Sequence, residues 1–498
     1  MKRYIGLGAA GHDSSICVMN DDGRVVLYSQ AERLSRKKND FNLGDLRRLF
    51  DTADIPYINE SDIVYCSDPE RAYSILHRNV VHGGQKGVKD YSFKRIAGMT
   101  STENIMFASH HMAHAASSFM FREEITSDAI YFAYDGVGIT SHLKLGHFSF
   151  GLISENNIQE CVLDHNEVYS PRARLERLPL PNTIPLHVSG KIMGLAGYLN
   201  QDNLKYIPVK DVSKTASRYH TEGLSKQVML EYRDHYYSFI QDATLILNQN
   251  LERFPQASTV VVGGGAFLAL ELNTFLVERG KRLIFGPPIN DSGLSIGLAA
   301  LAYFQSNGKF PPPIDSPFIQ WGPKEDSFNY LSPKKAAELL VDQNTVIGLI
   351  QGQAEAGPRA LGHRSLLATP STENRKLLSE DIKGREVYRP VAPIVTDRDF
   401  STWFTGPRGK YMQFRNGCLS KAKETVPGIV HQDMTARVQV LNPQINPWLY
   451  DVLCEVGKKT GAECLINTSL NGRGSPICNT LAEAQKELNG KNILFTRF

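Results

Sequence analysis

The sequence predicts an α/β protein of two units, the first of them a duplicated nucleotide-binding core. Three observations predict it. Short apolar strands run repeatedly into glycine-rich turns, as in YIGLGAAGHDSS, AYDGVG and VVVGGGAFLALELN. Between Phe304 and Phe328 the pattern lapses into Gly, Pro and Ser, with three prolines in a row at Pro311–Pro313. Strand and helix patterns then resume. A chain of 498 residues is also too long for one hydrophobic core, so two or three domains are expected.

The elements follow in chain order. Tyr4–Gly8 reads as a strand, and Ser15–Met19 with Val25–Gln30 as a hairpin around Asp21-Asp22-Gly23. The turn GAAGHDSS leaves backbone N–H groups able to approach an anion. Residues 109–119, SHHMAHAASSF, read as a helix with His110 and His114 one turn apart on one face. Ile130–Ile139 reads as a strand–turn pair with Asp135 and Gly136 at its tip. In VVVGGGAFLALELN, Gly264 and Gly265 let the backbone come close to a ligand at the start of the following helix. PPINDSG then places Asp291 at the head of a helix of small residues. The expected division is residues 1–305, a linker at 306–328, and a second α/β unit at 329–498. That unit opens with helix Pro333–Asp342 and strand Thr345–Gln351, and closes with helix Leu481–Leu488 and strand Asn492–Phe495.

Composition narrows the class. Hydrophobic residues at 42% and charged residues at 21% describe an ordinary globular protein. A formal charge of +3 does not demand a polyanionic partner. The apolar start of MKRYIGLGAAGHD is broken by Gly, His and Asp, so it reads as a strand and not a signal segment. No run reaches the roughly 18 apolar residues of a bilayer span. Seven scattered cysteines without a CxxC pair argue against a disulfide framework and a thiolate zinc site, and lead us to expect a cytoplasmic protein.

Two clusters carry chemistry. The first comprises His12, Asp13, His110, His114, Asp135, Lys191 and Asp291. Two imidazoles one turn apart, with carboxylates from strand and helix ends, suit a divalent cation or oxidised iron. Taken singly, Asp135 and Asp291 are more often helix caps, and His12-Asp13 a polar turn. The second cluster is cationic: Arg359, His363, Arg364, Lys383, Arg385, Arg389, His431, Arg437, Asn467, Ser469, Asn471 and Arg473. A lone Arg is usually a solvated charge. These stand among Gly, Pro and small polar residues, where guanidinium forks beside hydroxyl and amide groups suit an oxygen-rich anion.

GHDSS, SHHMAHAASSF, AYDGVG, KIMGLAGY, GGGAFLALELN, PPINDSG, GPRALGHRSLLA, GREVYRPVAPIV, HQDMTARVQ and NTSLNGRGSPI occur in this order. Together they resemble the carbamoyltransferases of the NodU/CmcH type over nearly the whole chain, most weakly over 41–100, 146–185 and 205–236. The resemblance implies an N-terminal actin/sugar-kinase-like domain, similar to the threonylcarbamoyladenosine transferase, and a C-terminal YrdC-like domain. It also implies two steps. Carbamoyl phosphate and ATP give carbamoyl adenylate in the YrdC-like domain, and the carbamoyl group then passes to an acceptor hydroxyl at the metal-bearing domain.

Residue by residue, the resemblance puts an iron-type site on His110, His114, Asp135 and Asp291, with iron or another divalent or trivalent cation, and Mg admitted for ATP. It puts nucleotide contacts on Gly136, Lys191, Gly194, Gly264, Gly265 and Asn273. Carbamoyl phosphate and ATP fall to Arg359, Arg364, Lys383, Arg385, His431, Arg437, Ser469 and Asn471, and acceptor activation to His12 and Asp13, with His12 as base or as phosphate ligand. The chain departs from the family pattern in being somewhat short and in carrying Leu470 where Phe is common.

Four other readings compete. A sugar or acetate kinase would leave the histidine pair and the cationic unit unexplained. A threonylcarbamoyl transferase acting on tRNA would lack the second unit. A non-catalytic nucleotide-binding regulator would be expected to have lost some of these polar residues. A natural-product hydroxyl is the expected acceptor. A hydroxymethyl base or nucleoside in nucleic acid is the alternative, with the basic run Arg33–Lys38 as its contact. A homodimer is admitted.

Overall fold

The computed structural model describes residues 2–8, 12–40, 42, 46–59, 61–67, 105–123, 129–139, 145–164, 170–181, 183, 185–199, 201–322 and 330–497. Positions 9–11 of the first glycine turn and 323–328 of the expected linker lie outside them.

The N-terminal unit is one topology used twice. Strands β1 (Tyr4–Gly8), β2 (Ser15–Met19), β3 (Val25–Gln30), β4 (Ile63–Cys66) and β5 (Ile105–Phe107) form a sheet of order β3-β2-β1-β4-β5. The hairpin strands run antiparallel, while β4 and β5 run parallel to β1. Strands β6 (Ala129–Ile139), β7 (Leu145–Ser154), β8 (Asn157–Asp164), β9 (Thr259–Gly263) and β10 (Arg282–Phe285) repeat that order and those directions. Paired repeats of this kind make the actin/sugar-kinase-like fold. The uninterrupted apolar run of β9 reflects a parallel strand covered on both faces, all five residues being buried.

Helix α1 (Ala31–Ser35) follows β3. Helix α2 (His110–Phe119) closes the first repeat, capped by Ser109, whose hydroxyl accepts the Met112 N–H at 3.3 Å. In the second repeat, α3 (Pro185–Tyr198) and α4 (Lys226–Leu251) precede β9, and α5 (Leu270–Glu278) precedes β10. Helix α6 (Leu294–Asn307) closes that repeat, packing on both β1 and α2. Its Gly, Ala and Ser residues permit that approach.

The C-terminal unit holds strands β11 (Val346–Ile350), β12 (Arg364–Ala368) and β13 (Ala392–Thr396), then β14 (Phe404–Thr405), β15 (Asn416–Cys418) and β16 (Thr435–Ala436), and finally β17 (Gln439–Leu441), β18 (Cys464–Ser469) and β19 (Ile493–Thr496). Six of them form a mixed sheet of order β17-β13-β18-β12-β11-β19, and β14–β16 form a small second sheet. Helices α7 (Pro333–Val341) and α8 (Pro447–Thr460) cover one face through Ala336, Leu340, Leu449, Val452 and Val456. Helix α9 (Leu481–Glu487) carries a capping box, Thr480 with Glu483.

Two expectations change. Asp135-Gly136 is not a turn: β6 runs through it to Ile139, with its register to β7 shifted between Tyr134 and Gly138. Such a bulge re-aims a side chain without ending the strand. The expected linker is also a packed strap. Its first residues belong to α6, and Phe310, Ile314 and Trp321 donate backbone hydrogen bonds to Glu155, Met120 and Tyr28 at 2.7, 2.6 and 2.7 Å.

Candidate active site

The fold brings His110, His114, Asp135 and Asp291 to one point between the repeats. Helix α2 presents the two histidines, the β6 bulge presents Asp135, and the turn into α6 presents Asp291. One ligand atom of each lies within 4.8 Å of the others. The two imidazole Nε2 atoms face each other at 3.0 Å. His110 Nε2 stands 3.1 Å from Asp135 Oδ2, and His114 Nε2 stands 3.3 Å from Asp291 Oδ1. Burial opposes charge on His114, but hydrogen bonds to Asp135 and Asp291 outweigh it and raise the imidazole to about 9. Burial would raise Asp135; His110 and His114 hold it well below the usual carboxylate range instead. Two imidazoles and two carboxylates converging at such distances fit a divalent or trivalent cation. The close approach needs Gly264, at φ +98°, where a Cβ would stand 2.2 Å from the Tyr134 carbonyl oxygen.

His12 and Asp13 adjoin this centre. His12 Nδ1 lies 3.0 Å from Asp13 Oδ2, and Nε2 lies 3.7 Å from Asp291 Oδ2. Burial alone would lower this imidazole, yet Asp291, Asp13 and Asp135 raise it to about 10. Asp13 has φ +52° and is held by amide groups of Asn39 (3.0 Å) and Asn290 (3.1 Å).

The expected nucleotide set gathers only in part. The Gly264 and Gly265 N–H groups bond to Ile289 O (2.9 Å) and Asp135 Oδ1 (3.1 Å). Lys191 pairs with Glu386 at 2.6 Å, and Gly194 faces Tyr388–Pro390, so both lie on the seam with the C-terminal unit. The Asn273 amide is committed to the Phe267 and Gln413 carbonyls. Of the six, Gly136, Gly264 and Gly265 border the centre; the Gly136 carbonyl meets His147 Nδ1 at 2.5 Å.

In the C-terminal unit Lys383 Nζ donates to Ser469 Oγ at 3.1 Å and to Asn471 Oδ1, and Ser469 Oγ stands 2.7 Å from Asn471 Oδ1. Burial, Arg385 and Lys38 push the Lys383 ammonium well below its usual value. Arg359, Arg385, Arg389 and Arg437 crowd nearby. Burial and Arg389 lower Arg359 to about 10; burial with Arg389 and Arg359 lowers Arg385 to about 9; Arg437 is lowered well below the usual value by burial and the other three. A guanidinium stays protonated, so this mutual repulsion marks a place for an anion.

Arg364 and His431 stand apart from it. Arg364, 1% exposed, donates to the carbonyls of Asn479, Gln351 and Gly352 at 2.8, 2.6 and 2.9 Å and thus braces loops. His431 bonds to the Tyr388 carbonyl at 3.1 Å and packs against Gly197 on the seam.

The basic run Arg33–Lys38 is only in part a surface patch, since Lys37 and Lys38 are exposed but the two arginines fold inward. Arg33 is 1% exposed, and Arg36 donates to Ile477 O (2.7 Å) and Pro476 O (2.9 Å) in the C-terminal unit. Lys38 lies within electrostatic reach of Glu32 and Asp13 and also of Arg385 and Arg389, so charges of both clusters act on it. Sequence reasoning missed that role, and missed Glu176, which no motif marks. The one available signal for Glu176 is the i, i+4 pair Arg172/Glu176.

Residues 337–495 match the family described as "Carbamoyltransferase C-terminus". Nodulation protein NolNO of Sinorhizobium fredii is 25% identical, the alignment covering 95% of this chain and 76% of that protein. Nodulation protein NolO of Bradyrhizobium diazoefficiens is 30% identical over 59% of this chain and 61% of its own length. Nodulation protein U of S. fredii is 34% identical over 44% of this chain and 41% of its own. Among solved structures, T. kodakarensis HypF is 14% identical at TM-score 0.42, covering 61% of this chain and 48% of HypF. Component A of the Acidaminococcus fermentans (R)-2-hydroxyglutaryl-CoA dehydratase is 12% identical at TM-score 0.34, covering 61% of this chain and 99% of that one. Residues 337–495 thus belong to the carbamoyltransferase C-terminal family, and the chain as a whole is similar to these nodulation proteins, which supports a transferase enzyme.

Proposed function

We propose that the protein is an ATP-dependent O-carbamoyltransferase. One observation supports this reading: a single stretch of chain reaches both clusters, Asn39 donating to Asp13 at 3.0 Å beside the histidine–carboxylate centre and Arg36 donating to Pro476 and Ile477 in the loop that holds Asn471. In the C-terminal unit, which we read as YrdC-like, Arg359, Arg385 and Arg437 hold the phosphates of carbamoyl phosphate and ATP. There water cleaves carbamoyl phosphate to carbamate and inorganic phosphate. A carbamate oxygen then attacks the α-phosphorus of ATP, so that carbamoyl adenylate forms and pyrophosphate leaves. Lys383, fixed by Ser469 and Asn471, offsets the phosphate charge. Lys38 offers the adenylate a cationic path to the centre between the repeats. There the acceptor hydroxyl attacks the carbamoyl carbon, a C–O bond forms, and AMP departs.

His110, His114, Asp135 and Asp291 would hold the cation. Bound there, it would polarise the carbamoyl oxygen and offset phosphate charge. His12 Nδ1 is held by Asp13 at 3.0 Å, while Nε2 stands 3.7 Å from Asp291, beyond hydrogen-bond distance. A protonated Nε2 is thus left to donate to the adenylate phosphate, a role the two carboxylates favour over that of a base. The acceptor enters by a cavity of about 650 Å³ beside Gly136, lined by His147, Arg172 and Glu176 among others. The folding-in of Arg33 and Arg36 weighs against a nucleic-acid acceptor.

The test is a burst of pyrophosphate from ATP that requires carbamoyl phosphate and no acceptor. Each charge-assisted bond is worth roughly 1.5–3 kcal/mol, so Arg385→Ala or Asn471→Ala should weaken donor use by roughly ten- to a hundredfold. A full burst from either variant would remove this placement.

A further inference from the structure

The cavity beside the centre has a chemistry of its own. Its floor is the single wide turn Arg172–Glu176, which packs against the β6 bulge. A Cβ on Gly136 would stand 3.8 Å from Arg172 Cβ and 4.0 Å from Glu176 Oε1, so the two side chains bracket the residue that follows Asp135. Four residues apart, they share one face of that turn. Arg172 is exposed at the rim, whereas Glu176 is half-buried inside. Leu178, Leu180 and Val188 form an apolar wall.

We infer that Glu176 receives the proton of the acceptor hydroxyl and that Arg172, at the mouth of the same cavity, selects an acceptor bearing an anionic group. This rests on the carbamoyl-transfer reading and names its missing partner. As the acceptor O–H attacks, the new bond joins its oxygen to the carbamoyl carbon, and the bond from that carbon to the adenylate phosphate oxygen breaks. The proton passes to the Glu176 carboxylate, and AMP leaves with the electron pair. The groups facing Glu176 are Asp135, Asp291 and His12 from the centre, Arg172 from its own turn, and His147 from β7. The Glu176 carboxylate lines the cavity beside the residue that follows Asp135, where it is within reach of an entering hydroxyl and suited to take its proton. Arg172 then does what a guanidinium at a pocket mouth does for a carboxylate or phosphate. A polycationic acceptor would meet the wrong charge there.

The experiment uses the full chain with ATP and carbamoyl phosphate. Glucose, glucosamine and glucuronate serve as ring-matched neutral, cationic and anionic probes, with AMP release and carbamoyl mass gain as readouts. Glu176→Gln should keep the pyrophosphate burst and lower AMP release at least a hundredfold, whether water or glucuronate accepts. Glucuronate should act at a concentration at least tenfold below the other two, and Arg172→Ala should erase that advantage. Normal AMP release by Glu176→Gln would overturn the proton role. Preference for glucosamine, or no discrimination among the probes, would overturn the anionic class. Absence of the burst in the unaltered protein would instead mean that the donor reading has failed, so the two failures are distinct.

Discussion

Asp13 is held at φ +52°, a backbone conformation that costs roughly 1 kcal/mol or more, and two asparagine amides keep it there. The return is a carboxylate fixed against His12 Nδ1. With Nδ1 committed to Asp13, Nε2 is the nitrogen that meets the substrate, and the size of a substitution effect distinguishes the roles. Replacing an imidazolium by a neutral donor loses about 1 kcal/mol of a charge-assisted bond, whereas removing a base costs roughly 10²–10⁴ in rate. His12→Asn should therefore keep the pyrophosphate burst and slow AMP release about tenfold; a loss beyond a hundredfold would restore the base. At this scale the histidine pair was legible because helical spacing is a local property. Lys38 and Glu176 were not, since their meaning comes from charges that arrive from distant parts of the chain: Arg385 and Arg389 for one, Asp135 and Asp291 for the other.

Helices α2 and α6 close the two repeats and touch through glycine. A Cβ on Gly297 would stand 1.8 Å from the Ala113 carbonyl oxygen, one residue before His114, and a Cβ on Gly6 would stand 1.9 Å from the Ser295 carbonyl oxygen. Gly297→Ala should cost about 1–3 kcal/mol by overpacking and should lower metal content as α2 is pushed away from Asp291. Gly190→Ala is the control, since no atom lies within 4 Å of its added methyl, and it should leave both the unfolding midpoint and the metal content at or above their starting values. Equal behaviour of the two variants would contradict this account of the helix pair. The elements themselves were legible: both hairpin strands, β1 and the α6 head fall where periodicity and turn residues put them. The β6 bulge was not. Asp-Gly-Val-Gly has turn composition, and only pairing with β7 on its far side keeps it extended.

Across the whole molecule, one short stretch joins the two units. Arg33 donates to Gly357 O at 3.1 Å and Ile477 O at 3.3 Å, and Arg36 donates to Pro476 and Ile477 and pairs with Glu487 at 2.5 Å. The same loop carries Ser475, whose carbonyl accepts the Asn471 amide at 2.5 Å, so Arg36 braces the Lys383 site from the other domain. Arg36→Ala should raise the KM for carbamoyl phosphate in the burst about tenfold, with Arg36→Lys intermediate because an ammonium cannot reach both carbonyls and the carboxylate. An unchanged KM in Arg36→Ala would show the contact to be packing alone. Composition read these arginines as a surface patch because a charge run looks the same whether water or a second domain covers it. Three residues past Arg36, Asn39 grips Asp13. A stretch with one end on each site cannot favour a filled donor pocket without also favouring the arrangement around His12, and by thermodynamic reciprocity the factor is the same in both directions. On the carbamoyl-transfer reading, occupancy at the arginine cluster and order around His12 therefore rise and fall together, and an acceptor bound beside His12 tightens the hold on the donor.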